Sequence, residues 1–107
     1  MPLFIAVHKW PKEELITCTQ EMIAGFTALL KGETPKEITL CSTYTRGDLL
    51  GAFCSWDAPN KEALNKLFQQ YLPTMLKYTE FIPVFQAYPA TIQYELSLLQ
   101  MICDAAK

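Results

Sequence analysis

The sequence predicts an α+β fold, in which one sheet is covered by helices and the elements run strand, helix, strand, strand, helix, strand, with one more helix at the end. Three observations predict it. Stretches of strand composition (residues 4–10, 38–45, 49–57 and 81–88) alternate with stretches whose apolar residues recur every three or four positions. Proline or glycine punctuates the junctions, at Pro11, Gly32, Pro35, Gly47, Pro59 and Pro89. A chain of 107 residues is also long enough for one domain around a single core but too short for two, so residues 1–107 are expected to form one domain.

The first strand, residues 4–10, is apolar on both faces. Leu3, Ile5 and Val7 point one way, while Phe4, Ala6, His8 and Trp10 point the other. A strand covered on both sides is central, so something must lie over each set. The aliphatic set is expected under the helices of the same chain, which leaves the aromatic set, with the chain's only histidine, facing an open side.

Pro11 then suits a first helical position, and Glu13 and Glu14 complement the positive end of the helix dipole. Leu15, Cys18, Met22, Ile23, Phe26, Leu29 and Leu30 form an apolar stripe, and Gly32 suits a C-cap, so this helix ends near residue 31. Thr34-Pro35-Lys36 breaks it, and residues 38–45 form the second strand. Arg46-Gly47-Asp48 is turn chemistry rather than an adhesion tripeptide. A two-residue loop with positive φ at Gly47 sets Tyr44 opposite Gly51, Ser42 opposite Phe53 and Cys41 opposite Cys54; a slip of one residue would set Ser42 opposite Ala52.

Asn60 is a good N-cap for a helix carrying Ala63, Leu64, Leu67, Phe68, Tyr71 and Leu72, which Pro73 interrupts before the pattern resumes at Met75, Leu76 and Tyr78. Residues 81–88 are the fourth strand, and Pro83 inside it argues for a sheet edge. Thr91 can cap a last helix, about residues 91–106, whose broad apolar face suits docking on a neighbouring subunit or on its own sheet.

Half of the residues are hydrophobic and only 19% charged, against a usual quarter, so part of the apolar surface is expected to face a second copy in a homodimer. A net charge of -2 disfavours nucleic acid and anionic membrane as partners. The absence of a basic leader and of any run of 18 apolar residues points to a cytoplasmic protein. The four cysteines, 18, 41, 54 and 103, have no CxxC spacing and read as buried thiols without disulfides.

The element order is that of the ferredoxin-like split βαβ unit. With the first strand ending in His8-Lys9-Trp10-Pro11, the segment Gly51-Ala52-Phe53-Cys54-Ser55-Trp56-Asp57-Ala58 running into a capped helix, and Ile82-Pro83-Val84, residues 3–88 resemble the dimeric α+β barrel superfamily, above all its small members of unknown function. The resemblance implies two four-stranded sheets meeting face to face around a lumen. Relatives there include cofactor-independent monooxygenases, an isomerase, haem enzymes and ligand-binding regulators, so the fold does not choose the function.

Parity then places Phe4, Ala6, His8, Trp10, Thr39, Cys41, Thr43, Ala52, Cys54 and Trp56 in the lumen, an apolar and aromatic pocket for a small molecule. Three classes follow. The first is a binding protein without chemistry, in which Phe4, His8, Trp10, Cys41, Thr43, Cys54 and Trp56 touch the ligand. The second is a cofactor-independent monooxygenase or isomerase with His8 as catalytic acid or base. The third is a metal or haem protein using His8 with Cys41 or Cys54, although no ligand spacing supports a metal. Asp57 at a strand end caps or pairs, and Tyr44 and Tyr88 are rim or core residues. The four glycines fit no phosphate loop, the sequence leaves the cofactor open, and no serine-type nucleophile motif is present. On this reading a His8→Gln change affects function more than folding.

Overall fold

The computed structural model describes residues 2–85 and 91–106. Its strands are β1 (Leu3–Lys9), β2 (Thr39–Thr45), β3 (Gly51–Asp57) and β4 (Thr79–Val84), and its helices α1 (Leu15–Leu30), α2 (Lys61–Tyr71), α3 (Pro73–Leu76) and α4 (Ile92–Ala106). The strands form one antiparallel sheet in the order β2-β3-β1-β4, so β1 is central and the proline-bearing β4 is an edge, as the sequence required. The fold is α+β and ferredoxin-like. Residues 86–88 of the expected fourth strand, Tyr88 among them, lie outside the described residues.

The helix boundaries follow their caps. A 3-10 turn over Lys12–Glu14 precedes α1. At its far end Gly32 takes φ +72°, the Gly32 N–H bonds the Leu29 carbonyl at 3.1 Å and the Glu33 N–H the Ala28 carbonyl at 3.0 Å, a Schellman ending. Asn60 accepts the Ala63 N–H at 2.9 Å to start α2. Pro73 ends α2 and opens α3 at its first position. The first turn of α3 is capped from another helix, because the Glu21 carboxylate of α1 takes the Thr74 N–H at 2.9 and 3.0 Å and the Met75 N–H at 2.9 Å. Small residues let α1 come close: its buried positions are Cys18, Gly25 and Ala28, while Ile23 and Leu30 of the expected stripe are exposed. Thr91 accepts the Tyr94 N–H at 2.9 Å to cap α4, and no residue of α4 is buried.

The two sets of β1 side chains are as parity required, but their directions are reversed. Phe4, Ala6, His8 and Trp10 are buried under the helices with Cys54, Trp56 and Phe81, against Leu64, Leu67, Phe68, Leu72 and Met75. Leu3, Ile5 and Val7 are half-buried on the open face. Charge decides the direction: Lys9 shares the Leu3 set, and the register puts Asp57 and Glu80 on that face too, while the Phe4 set carries no ion.

The hairpin register differs as well. Thr45 lies opposite Ala52, Tyr44 opposite Phe53, Thr43 opposite Cys54 and Ser42 opposite Ser55, two residues away from the expected pairing, and a bulge at Cys41 shifts the pairing to Leu40 opposite Trp56. The loop is the reason. The Leu49 N–H bonds the Arg46 carbonyl at 2.9 Å, the Arg46 N–H bonds the Gly51 carbonyl at 2.9 Å, and the positive φ falls on Leu49, at 66°, not on Gly47. A left-handed leucine is strained, and this one is largely exposed. Leu49→Asn is therefore expected to raise stability by about 1 kcal/mol, read as a higher urea midpoint at unchanged slope.

Candidate functional site

Two regions draw together the residues with chemical potential: the buried ring cluster around His8 and the open face of the sheet. His8 is placed by β1, with its ring stacked on Phe68 of α2 at 5.7 Å and 19° between planes. Trp56 and Phe81 meet Phe68 edge-on at 5.8 and 5.1 Å. The Thr79 hydroxyl donates to the Met75 carbonyl at 2.7 Å, so its oxygen must accept from His8 Nδ1, 2.6 Å away. His8 is thereby held as the neutral tautomer protonated on Nδ1. Among the described residues its Nε2 lone pair is buried without a hydrogen-bond partner, as is the Trp56 indole N–H. Burial pulls the His8 pKa from the ordinary 6.5 down to about 4.

The sequence-predicted site residues therefore divide. Phe4, His8, Trp10, Cys54 and Trp56 come together, on the helix-covered face rather than the open one. Trp10 is fixed there by its indole N–H on the Leu49 carbonyl at 3.2 Å. Thr43 joins them only through its hydroxyl, 3.2 Å from Cys54 Sγ. Cys41 is exposed at the bulge with its thiol on the Thr39 carbonyl, not opposite Cys54, so the expected cross-strand thiol pair does not exist. Cys18 and Cys54 are buried, and burial raises both thiols, Cys18 to about 11; Cys41 and Cys103 are exposed, contrary to the expectation of four buried thiols. Among the described residues no three His, Cys, Asp or Glu side chains converge as a metal site, so a His8, Cys41 and Cys54 ligand set is not assembled. Sequence reading missed Phe68 as the hub and Thr79 as the partner of His8. Phe68 was visible in the α2 stripe, but Thr79 is 71 positions from His8 and only the fold joins them.

The open face is built in three cross-strand rows: Tyr44, Phe53, Val7 and Glu80; Ser42, Ser55, Ile5 and Ile82; Thr39, Asp57, Leu3 and Val84. Its centre is apolar. Phe53 is 43%, Ile82 39% and Tyr44 66% exposed, and the Ser42 and Ser55 hydroxyls bond each other at 2.5 Å. Away from this face, a groove of about 490 Å³ runs between Ile38 and α2, lined by Glu37, Asn60, Glu62, Lys66 and Gln70 among others. Its mixed charges mark no particular ligand. The Arg46-Gly47-Asp48 triplet is closed on itself, with Arg46 Nη2 2.6 Å from Asp48 Oδ2 and the Leu50 N–H on Asp48 Oδ1 at 3.0 Å. No helix of the described residues is long and apolar enough to cross a membrane.

No protein-family model and no curated protein matches the sequence. Among solved structures the chain is similar to an uncharacterised NIPSNAP domain protein from Burkholderia xenovorans, with a TM-score of 0.53 and 12% identity over 85% of this chain and 99% of that one. At that identity the likeness shows the fold alone: a ferredoxin-like α+β domain of the kind seen in that NIPSNAP protein.

Proposed function

We propose that this chain is a cytoplasmic, single-domain binding protein that acts as a homodimer, its two open sheet faces meeting to enclose a small apolar or aromatic ligand. The observation that carries this reading is the composition of the open face. An antiparallel sheet that faces water alternates apolar with polar, yet here Leu3, Ile5, Val7, Phe53, Ile82 and Val84 run together across β3, β1 and β4. The exposed apolar side chains of α4 add to the surface that an assembly would cover. The ligand then rests on Ile5, Val7, Phe53 and Ile82 rather than on the Phe4 set.

We assign His8 to the fold rather than to chemistry. It is 1% exposed, and the two surface grooves of about 490 and 370 Å³ are lined by other residues. An acid or base must reach the proton it moves, and a neutral ring sealed against Phe68 does not. Placing Glu at position 53 tests the binding reading, because a carboxylate in a dry interface is costly. Light scattering at micromolar concentration is expected to show Phe53→Glu at half the wild-type mass, with loss of the fluorescence that 8-anilinonaphthalene-1-sulfonate gains on the wild type. Equal masses for the two proteins would remove the face-to-face dimer and the enclosed site with it.

A further inference from the structure

The two edges of the sheet are not alike. In an antiparallel ladder the residues that bond one neighbour alternate with those whose N–H and C=O point away from it. Three bonds fix the phase throughout: Arg46 N–H to the Gly51 carbonyl at 2.9 Å, Trp10 N–H to the Leu50 carbonyl at 3.1 Å, and Lys9 N–H to the Tyr78 carbonyl at 3.0 Å. On the β4 edge, this phase turns position 83 outward, where proline has no N–H to offer. That edge is blocked. On the β2 edge, Ser42 and Tyr44 bond β3, and Thr43 and Thr45 present their N–H and C=O outward.

Among the described residues, the β2 edge beyond its bulge at Cys41 carries no guard. Residues 39–45 are Thr-Leu-Cys-Ser-Thr-Tyr-Thr, without charge or proline and rich in strand-forming residues. Among the described residues no backbone hydrogen bond reaches its outer side. We propose that this edge pairs with the same edge of a second copy of the chain, β2 antiparallel to β2 across a two-fold axis. An uncharged strand brings no like-charge repulsion against its own copy, and an antiparallel self-pair is isologous by construction. The bulge at Cys41 fixes the register, because regular outward alternation survives only from Ser42 onward. Pairing centred on Tyr44 sets Thr43 of each chain against Thr45 of the other and uses the outward groups of both from Ser42 to Thr45. The two Tyr44 side chains then stand directly opposite on the open face, at a non-hydrogen-bonded position where Cβ atoms lie about 5 Å apart.

This pairing is independent of the face-to-face contact and would join two such dimers into a four-chain assembly, and different substitutions address the two contacts. With Cys41 and Cys103 changed to Ser, Tyr44→Cys is expected to give a covalent dimer within minutes of mild oxidation by copper phenanthroline, seen on a non-reducing gel. Thr43→Pro removes an outward N–H and leaves every backbone bond to β3 in place, giving up only the hydroxyl contact with Cys54, so it is expected to abolish that cross-link and to halve the mass seen by light scattering. Phe53→Glu should leave the cross-link intact. Absence of the cross-link, or a cross-link that persists with Thr43→Pro, overturns the proposal. Should Thr43→Pro fail to fold by circular dichroism, amide exchange of the wild type decides instead. Thr43 and Thr45 amides protected like those of Ser42 and Tyr44 support the pairing, and exchange within seconds overturns it.

Discussion

Between pH 6.5 and about 4 the folded chain is expected to lose about 3 kcal/mol of stability through one side chain. His8 titrates near 6.5 when the chain is unfolded and near 4 when folded, because the ring is buried among Phe68, Trp56 and Phe81 with no charged partner. Its folded pKa is depressed, so as pH falls the unfolded state takes up the proton first and gains relative to the native one. Stability is whole above pH 6.5 and declines by about 1.4 kcal/mol per pH unit down to about 4. Since this is the only histidine, the interval from pH 6.5 to 5 isolates it from the carboxylates. Urea unfolding at half-unit steps measures the slope. In His8→Gln the slope should vanish, and stability at pH 7 should fall by about 2 kcal/mol, because the longer amide leaves Thr79 without its donor and Phe68 without its stack. The sequence alone led to the opposite expectation, that this change spares the fold, and the urea melt of His8→Gln decides between the two. A flat wild-type profile over pH 6.5–5 would mean that His8 reaches water in the native state.

Gly51→Ala is the second large effect, a loss of about 3 kcal/mol. A methyl group there meets the His8 carbonyl oxygen far inside van der Waals contact and Arg46 Cδ at 2.7 Å. The arginine can swing aside. The carbonyl belongs to the central strand and cannot move without disturbing both ladders of β1. Gly47→Ala is the control: nothing lies within 4 Å of the added carbon and its φ is not positive, so its stability should stay within about 0.5 kcal/mol. Parallel thermal melts compare the two. Equal melting temperatures would show that β1 and β3 part easily at the hairpin end.

Much of this architecture was legible in the sequence because its signals are local. Asn60, Pro73 and Gly32 each act within one turn of themselves, and the alternation along β1 depends only on residue parity. Parity yields two sets of side chains but not their direction, and apolar volume was a poor guide to it. Lys9, Asp57 and Glu80 were the better one, since each shares a set with the face that stays open. The hairpin register was lost for a different reason. Gly47 looked like the residue with positive φ, whereas Leu49 takes it at some cost, which lengthens the loop and moves the pairing by two. With direction and register both displaced, the site read as a lumen around His8 became a core, and the open face came to rest on Ile5, Phe53 and Ile82.

The placement of β1 between β3 and β4 also sets a timetable for folding. Leu3 must meet Asp57 on one side and Val84 on the other, so the central strand cannot complete its pairing until synthesis has passed residue 84. At about 5–20 residues per second, β1 waits on the order of 4–15 s after it is made. The β2 and β3 hairpin closes over a short loop and α2 is local, so both can form during that wait, while an apolar strand stays uncovered. The nascent chain is thus most prone to aggregation before β4 emerges, and slowing translation between residues 57 and 79 would lengthen its most vulnerable interval.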